Sequence, residues 1–260
     1  MGPAGVPRLH QLTTDHLLKA GLDGQRALAQ AAGAGAAAPN YGPVVDGTVL
    51  PQHAFDTAAP AVSSSVPLLV GNTYAEFGGG MNDPEAHLLT IEKLREKLKP
   101  TTADRADKVI AAYQKAFPAA KPFEIWGLTV GTRAYRANAV AQAELKAKQG
   151  GAPVFMYWFG WKTPVFDGRP LAYHCQDLAF WFDNIDLAAQ ATGGTDDARQ
   201  LATKMSRALV AFARTGNPSH PGLPKWSPFT GTERATMVFE NGQVTVKSDP
   251  DREAREVLLA

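Results

Sequence analysis

The sequence predicts a layered α/β protein. Three observations predict it. Two short, unbroken apolar runs of strand length occupy residues 66–71 and 154–159. Segments of helical period lie between and after them. Two further strand-like runs, joined by Asn241-Gly242, read as a closing hairpin. The order strand, helices, strand, helix, hairpin suits a sheet with helices packed upon it.

Length and composition agree. The chain has 260 residues, 45% apolar and 20% charged, which is the profile of a globular protein. Lys plus Arg is 26 and Asp plus Glu is 25, so the net charge is +1. That balance supplies no bulk field for nucleic acid or anionic lipid. A single cysteine excludes an internal disulfide framework and any multi-cysteine metal site. No apolar run approaches the roughly 20 residues of a membrane-spanning helix. Residues 1–21 hold no apolar signal-peptide core, and the compartment stays open.

The elements follow in order. Residues 8–35 read as a helix with an apolar stripe of Leu9, Leu12, Leu17, Leu18 and Leu22, fraying through the Ala/Gly tail 31–38. Asp46-Gly47 marks a turn. The run 66–71 ends in glycine, the pattern of a strand covered on both faces. A helix is expected over 83–99, with Asp83 as cap, Pro84 in the first turn and Pro100 as the stop. Residues 102–117 and 123–148 form two more helices. The second strand covers 154–159, and a long helix covers 196–215, with Leu201, Met205, Leu209 and Phe212 on one side and Gly216 at its end. The hairpin pairs 235–239 with 244–246. Tyr157, Trp158, Phe159, Trp161, Phe166, Phe180, Trp181 and Phe182 read as core.

Few residues carry chemistry. The sequence has no phosphate-binding loop, no His-Glu-x-x-His and no dinucleotide fingerprint, so no cofactor is implied. Gly-x-Ser-x-Gly is also absent. Gly78-Gly79-Gly80 reads as a flexible turn. Glu76 lies just past the carboxyl end of the first strand, where open α/β sheets hold their ligands. Position alone leaves it either a solvated loop carboxylate or one that orients a base. His174 lies in a loop beyond the second strand, as a general base or as a histidine bonded to backbone. Cys175 adjoins it. Neighbouring side chains in an extended chain point apart, so a small buried thiol is the better reading than a nucleophile activated by His174.

Several motifs together resemble the C-terminal half of the type-B carboxylesterase family, which includes para-nitrobenzyl esterases and cholinesterases. Gly42-Pro43-Val44-Val45-Asp46-Gly47 followed by Leu50-Pro51 is similar to the family's PVVDG-x-x-LP segment. Pro67 to Glu76 matches P-x-x-x-G-x-x-x-x-E, whose glutamate is the acid of the catalytic triad. Gly168 to Phe182 resembles the family's histidine loop. Phe212-Ala213-Arg214-Thr215-Gly216-Asn217-Pro218, Leu223-Pro224-Lys225-Trp226 and Met237-Val238-Phe239 match its closing pattern.

The resemblance implies the C-terminal half of an α/β-hydrolase fold: its last parallel strands, flanking helices and a C-terminal β-hairpin. It divides the chain into a helical lead-in, 1–40, and the partial domain, 41–260. It implies a small carboxylic ester as substrate and no cofactor or metal. Glu76 matches the triad acid and His174 the base, in the chain order acid then base that this fold uses. Asp177 stands where the family often has glutamate, which implies a supporting role. The serine belongs before the acid, and none of the 75 residues preceding Glu76 forms its elbow. The expectation is an acid-and-base segment, inactive alone, whose first strand has an open edge where the nucleophile-bearing strand would lie, so that the isolated chain is poorly soluble, dimeric through that edge or only marginally folded. The alternative is a non-catalytic hydrolase-like interaction module, or a degraded pseudoenzyme, on the same fold.

Overall fold

The two apolar runs become neighbouring parallel strands. A computed structural model describes residues 8–33 and 42–260. β1 (Leu68–Thr73) pairs in parallel with β2 (Val154–Gly160), from Leu68 opposite Val154 to Thr73 opposite Phe159. β2 pairs in parallel with β3 (Ala235–Glu240), and β3 pairs antiparallel with β4 (Gln243–Ser248) across Asn241-Gly242. The sheet order is β1-β2-β3-β4. β2 is central and almost wholly buried, as an unbroken apolar run requires. β1 is the outer strand, and Leu68 to Gly71 are only half-buried. The expectation that both its faces are covered therefore fails at its first four residues. Gly71 is needed there, because a Cβ would meet the Tyr157 ring and carbonyl at 2.4 Å.

The chain divides into two units, Met1–His53 and Ala54–Ala260. In the first, α1 spans Thr14–Ala32, capped by the Thr13 hydroxyl. It begins later than expected, and most of the tail 31–38 lies outside the described residues. The Asp46-Gly47 turn forms as expected: Asp46 Oδ1 accepts from the amides of Thr48, Val49 and Leu50 at 2.8–3.0 Å, and Gly47 takes φ +74°.

In the second unit, α2 covers Ile91–Thr102, not 83–99. Thr90 caps it by accepting from the Lys93 amide, whereas Asp83 caps only a tight turn, accepting from the Glu85 amide at 3.0 Å. Pro100 sits inside the last turn, where its missing N–H removes a single ladder bond. α3 (Ala106–Ala116) follows. α4 (Pro122–Gly131) starts on proline, with Glu124 accepting from the Lys121 amide. A π-turn over Thr132–Arg136 joins it to α5 (Ala137–Gln149), which packs on β1 and β2. After β2 come the short α6 (Asp177–Trp181) and α7 (Ala189–Thr192).

α8 (Asp196–Thr215) matches its expected bounds, from the Thr195 cap to Gly216 at φ +74°. α9 (Arg252–Leu259), which periodicity missed, closes the chain against α3. Trp158, Phe159, Phe180, Trp181, Trp226 and Phe239 form the aromatic centre of the core. Phe166 and Phe182 were expected there but are exposed, because both lie in turns outside the packed elements.

Candidate active site

Two loops leave the carboxyl ends of β1 and β2 and run side by side. The parallel register of the strands continues beyond them: the Ala75 amide donates to Ala172 O at 3.0 Å and the His174 amide to Glu76 O at 3.0 Å. Glu76 and Tyr173 form a parallel bridge. Residues 98 apart in sequence are thereby held together by main chain before any side chain contributes.

Glu76 closes a tight turn after β1. Its Oε1 accepts from the Thr73 amide at 2.8 Å, and its own amide donates to Thr73 Oγ1 at 3.1 Å. Its φ of +48° is left-handed, which is costly for a residue bearing a Cβ and is sustained here by those reciprocal bonds. The side chain is 4% exposed. His174 lies between two further left-handed residues, Leu171 (φ +57°) and Cys175 (φ +63°), which turn the loop sharply on both sides of it. Its Nδ1 meets Glu76 Oε2 at 2.6 Å. A carboxylate only accepts, so Nδ1 donates, and the tautomer leaves Nε2 free to take a proton. The pair that the sequence singled out from opposite ends of the domain is thus in direct contact.

The glycine run is not a flexible turn. A Cβ on Gly78 would lie 2.7 Å from Gly127 Cα, one on Gly79 2.2 Å from Pro170 O, and one on Gly80 2.3 Å from Ala86 Cβ. None of the three needs positive φ. They are glycines because the loop carrying Glu76 is pressed against α4 and the loop carrying His174.

Tyr135, in the π-turn, and Phe77 flank the imidazole, with ring centroids 5.2 and 4.3 Å from His174. Sequence reasoning missed both. The extra residue of a π-turn has no signature in periodicity, although such turns concentrate at functional sites. The imidazole faces a cavity of about 430 Å³, lined also by Met81, Asn82 and Asp83 and containing no serine.

Asp177 is buried at the start of α6, where the Tyr157 hydroxyl donates to its Oδ2 at 2.9 Å. Burial pushes its carboxyl above the ordinary carboxylate range; the Tyr157 bond opposes this and the Glu76 charge adds to it. Cys175 is exposed, which corrects the buried-thiol expectation: the left-handed turn throws it outward. Its thiol is pushed up by desolvation and by the charges of Asp177 and Glu76, the opposite of an activated nucleophile. Among the described residues no cluster of three or more potential metal ligands exists.

Comparison with known proteins gives the family and the fold. The family model of the Carboxylesterase family matches residues 8–257, beginning ahead of the first motif at Gly42. The chain is 30% identical over 224 residues to a para-nitrobenzyl esterase of Bacillus subtilis, covering 84% of this chain and 43% of that one. It is 25% identical over 213 residues to a phenmedipham hydrolase of Pseudarthrobacter oxydans, covering 80% and 42%. A solved carboxylesterase of Geobacillus stearothermophilus superposes with a TM-score of 0.67 at 28% identity, covering 99% of this chain and 51% of that one. An esterase from Clostridium hathewayi gives a TM-score of 0.74 at 22% identity, a likeness of fold. The chain spans less than half the length of these two curated relatives and about half the length of the two solved structures. It belongs to the carboxylesterase family, and its sheet and helices are part of an α/β-hydrolase fold.

Proposed function

We propose that this chain is the acid-and-base segment of a carboxylic ester hydrolase, with Glu76 and His174 as two members of a Ser-Glu-His triad. The observation that carries the reading is the 2.6 Å contact of His174 Nδ1 with the buried Glu76 carboxylate, in a member of the carboxylesterase family. The roles follow from the chemistry. His174 Nε2 takes the proton of a serine hydroxyl as the oxygen attacks the ester carbonyl, then returns it to the departing alcohol. Glu76 holds the ring and stabilises the imidazolium.

The serine and the oxyanion donors come, in this reading, from polypeptide outside these 260 residues. The chain alone then lacks turnover, since both nucleophile and oxyanion stabilisation are missing. In the same reading that polypeptide pairs with the outer edge of β1, which has a strand neighbour on one side only among the described residues. In its absence the chain is expected to be poorly soluble, to pair there with a second copy or to fold only marginally, and a cooperative monomer in sedimentation and thermal melting would count against this.

The test is hydrolysis of a para-nitrophenyl ester. The purified chain is expected to give no saturable activity. Joined to the nucleophile-bearing half of a related esterase, it is expected to turn over, and His174→Ala abolishes that turnover. Glu76→Gln, which removes the carboxylate that fixes the imidazole, lowers kcat by orders of magnitude, by analogy about 10⁴-fold. Saturable hydrolysis by the isolated chain, lost in His174→Ala, would overturn the division of the triad.

A further inference from the structure

A second cavity, of about 360 Å³, shares no lining residue with the one that His174 faces. It opens at the carboxyl ends of the parallel strands, the usual place for a ligand in an open α/β sheet. Tyr74 follows β1, Gly160 ends β2 and Glu240 ends β3, and all three line it. Ala75 and Ala172, joined by their backbone hydrogen bond, also line it, so it adjoins the segments that carry Glu76 and His174.

The lining combines apolar and polar side chains. Phe117, Leu128 and Ala120 supply apolar surface. Tyr74 packs against Trp158 and Phe117 at centroid distances of 4.2 and 6.0 Å. Gly160 permits this, since a Cβ there would lie 2.7 Å from the Tyr74 ring. The Tyr74 hydroxyl donates to Glu240 Oε1 at 3.0 Å. Each lysine of the lining already has a carboxylate: Lys162 meets Glu124 at 2.6 Å and Lys247 meets Glu240 at 3.6 Å. The charges cancel within the site, and any ion entering would meet both signs. An uncharged molecule with an apolar body can bury it against Phe117, Leu128 and Ala120, while the carboxylates and the Tyr74 oxygen remain as hydrogen-bond partners.

We infer that this cavity is a second ligand site, taking a small uncharged alcohol with an aliphatic or aromatic body. The site is separate from the proposed triad and does not depend on it.

The test reads binding, so its outcome is independent of hydrolysis. The full chain is titrated with 1-hexanol and followed by protein NMR, with hexanoate and hexylamine as charged comparators. Saturable shifts are expected, with nuclear Overhauser contacts from the hexyl chain to Phe117 and Leu128. The comparators are expected to bind at least about tenfold more weakly, roughly 1.4 kcal/mol. Ala120→Trp, which fills the cavity from its apolar lining, is expected to abolish binding. The contact map decides the matter independently should that variant misfold. Absence of saturation, contacts to Phe77 and Met81 instead, equal binding of the charged comparators, or retained binding in a folded Ala120→Trp would each overturn the inference.

Discussion

Replacing Asp251 by alanine tests how strongly a buried carboxylate, shared by Arg136 and Arg255, fastens the π-turn to the core. Arg136 ends the π-turn and is completely buried, as is Asp251 at the head of α9. Arg136 Nη2 donates to Asp251 Oδ1 at 2.9 Å and its Nε lies 3.2–3.3 Å from both oxygens. The guanidinium also lies over the Trp158 ring, 4.4 Å from its centroid. Its next carboxylate, Asp249, is 4.0 Å away and already engaged by Arg234 and Arg255. Asp251→Ala therefore leaves a dry, nearly uncompensated cation, a loss of about 3–5 kcal/mol. For a domain of this size that lowers Tm by about 10 °C.

The reverse change is milder. After Arg136→Met, Asp251 keeps Arg255 at 2.9 Å, and the new side chain fills the space between Met156 and Trp158. The loss is the hydrogen bonds and the cation–π contact, about 1–2 kcal/mol. The double variant removes the orphaned charge and is more stable than Asp251→Ala alone, a coupling of at least about 1 kcal/mol. Urea and thermal denaturation followed by circular dichroism, over the four members of the cycle, give these values. Equal losses for the two single variants, or additivity in the double, would refute the reasoning, because water would then be reaching the pair.

Two further predictions concern the site. In Gly79→Ala the new Cβ stands 2.2 Å from Pro170 O, so the loops carrying Glu76 and His174 must part by roughly 1 Å to reach ordinary contact, at a cost of about 1–3 kcal/mol; the expected result is loss of the downfield Nδ1 proton resonance of His174, while Gly24→Ala, with open space around it in α1, leaves that resonance in place, and an unchanged resonance in Gly79→Ala would count against the packing argument. Asp177, whose pKa is raised in the fold, contributes stability that is complete below its unfolded value and is lost as pH rises through the folded one. Asp177→Asn, still able to accept from Tyr157, is therefore expected to raise Tm at pH 7.5, a gain that shrinks towards pH 4. An equal gain at both pH values would point to packing rather than charge.

Much of this protein is legible in one dimension because the signals involved are local. The unbroken apolar run of β2 requires a central strand, Thr195 and Gly216 bound α8, and Asn241-Gly242 closes a hairpin. Glu76 and His174 were found by their place after strands and by the motifs around them. A local signal can also mislead. Asp83-Pro84 reads as a helix start, but the extended backbone at Leu89 (ψ 120°) breaks any helix there, and Thr90 takes the cap.

The sequence by itself determined most of the element types, the strand core and which two residues are proposed as acid and base. Only the tertiary structure decided their relation. The 2.6 Å contact depends on the parallel register of β1 and β2 being carried into two loops, and on three left-handed residues that no periodicity records. It also decided that the glycine run is tightly packed, that Cys175 faces solvent, and that a π-turn sets Tyr135 beside the imidazole and Arg136 in the core. The physical reason is the same in each case. A side chain's environment is set by segments far away in the chain, and local propensity carries no term for them.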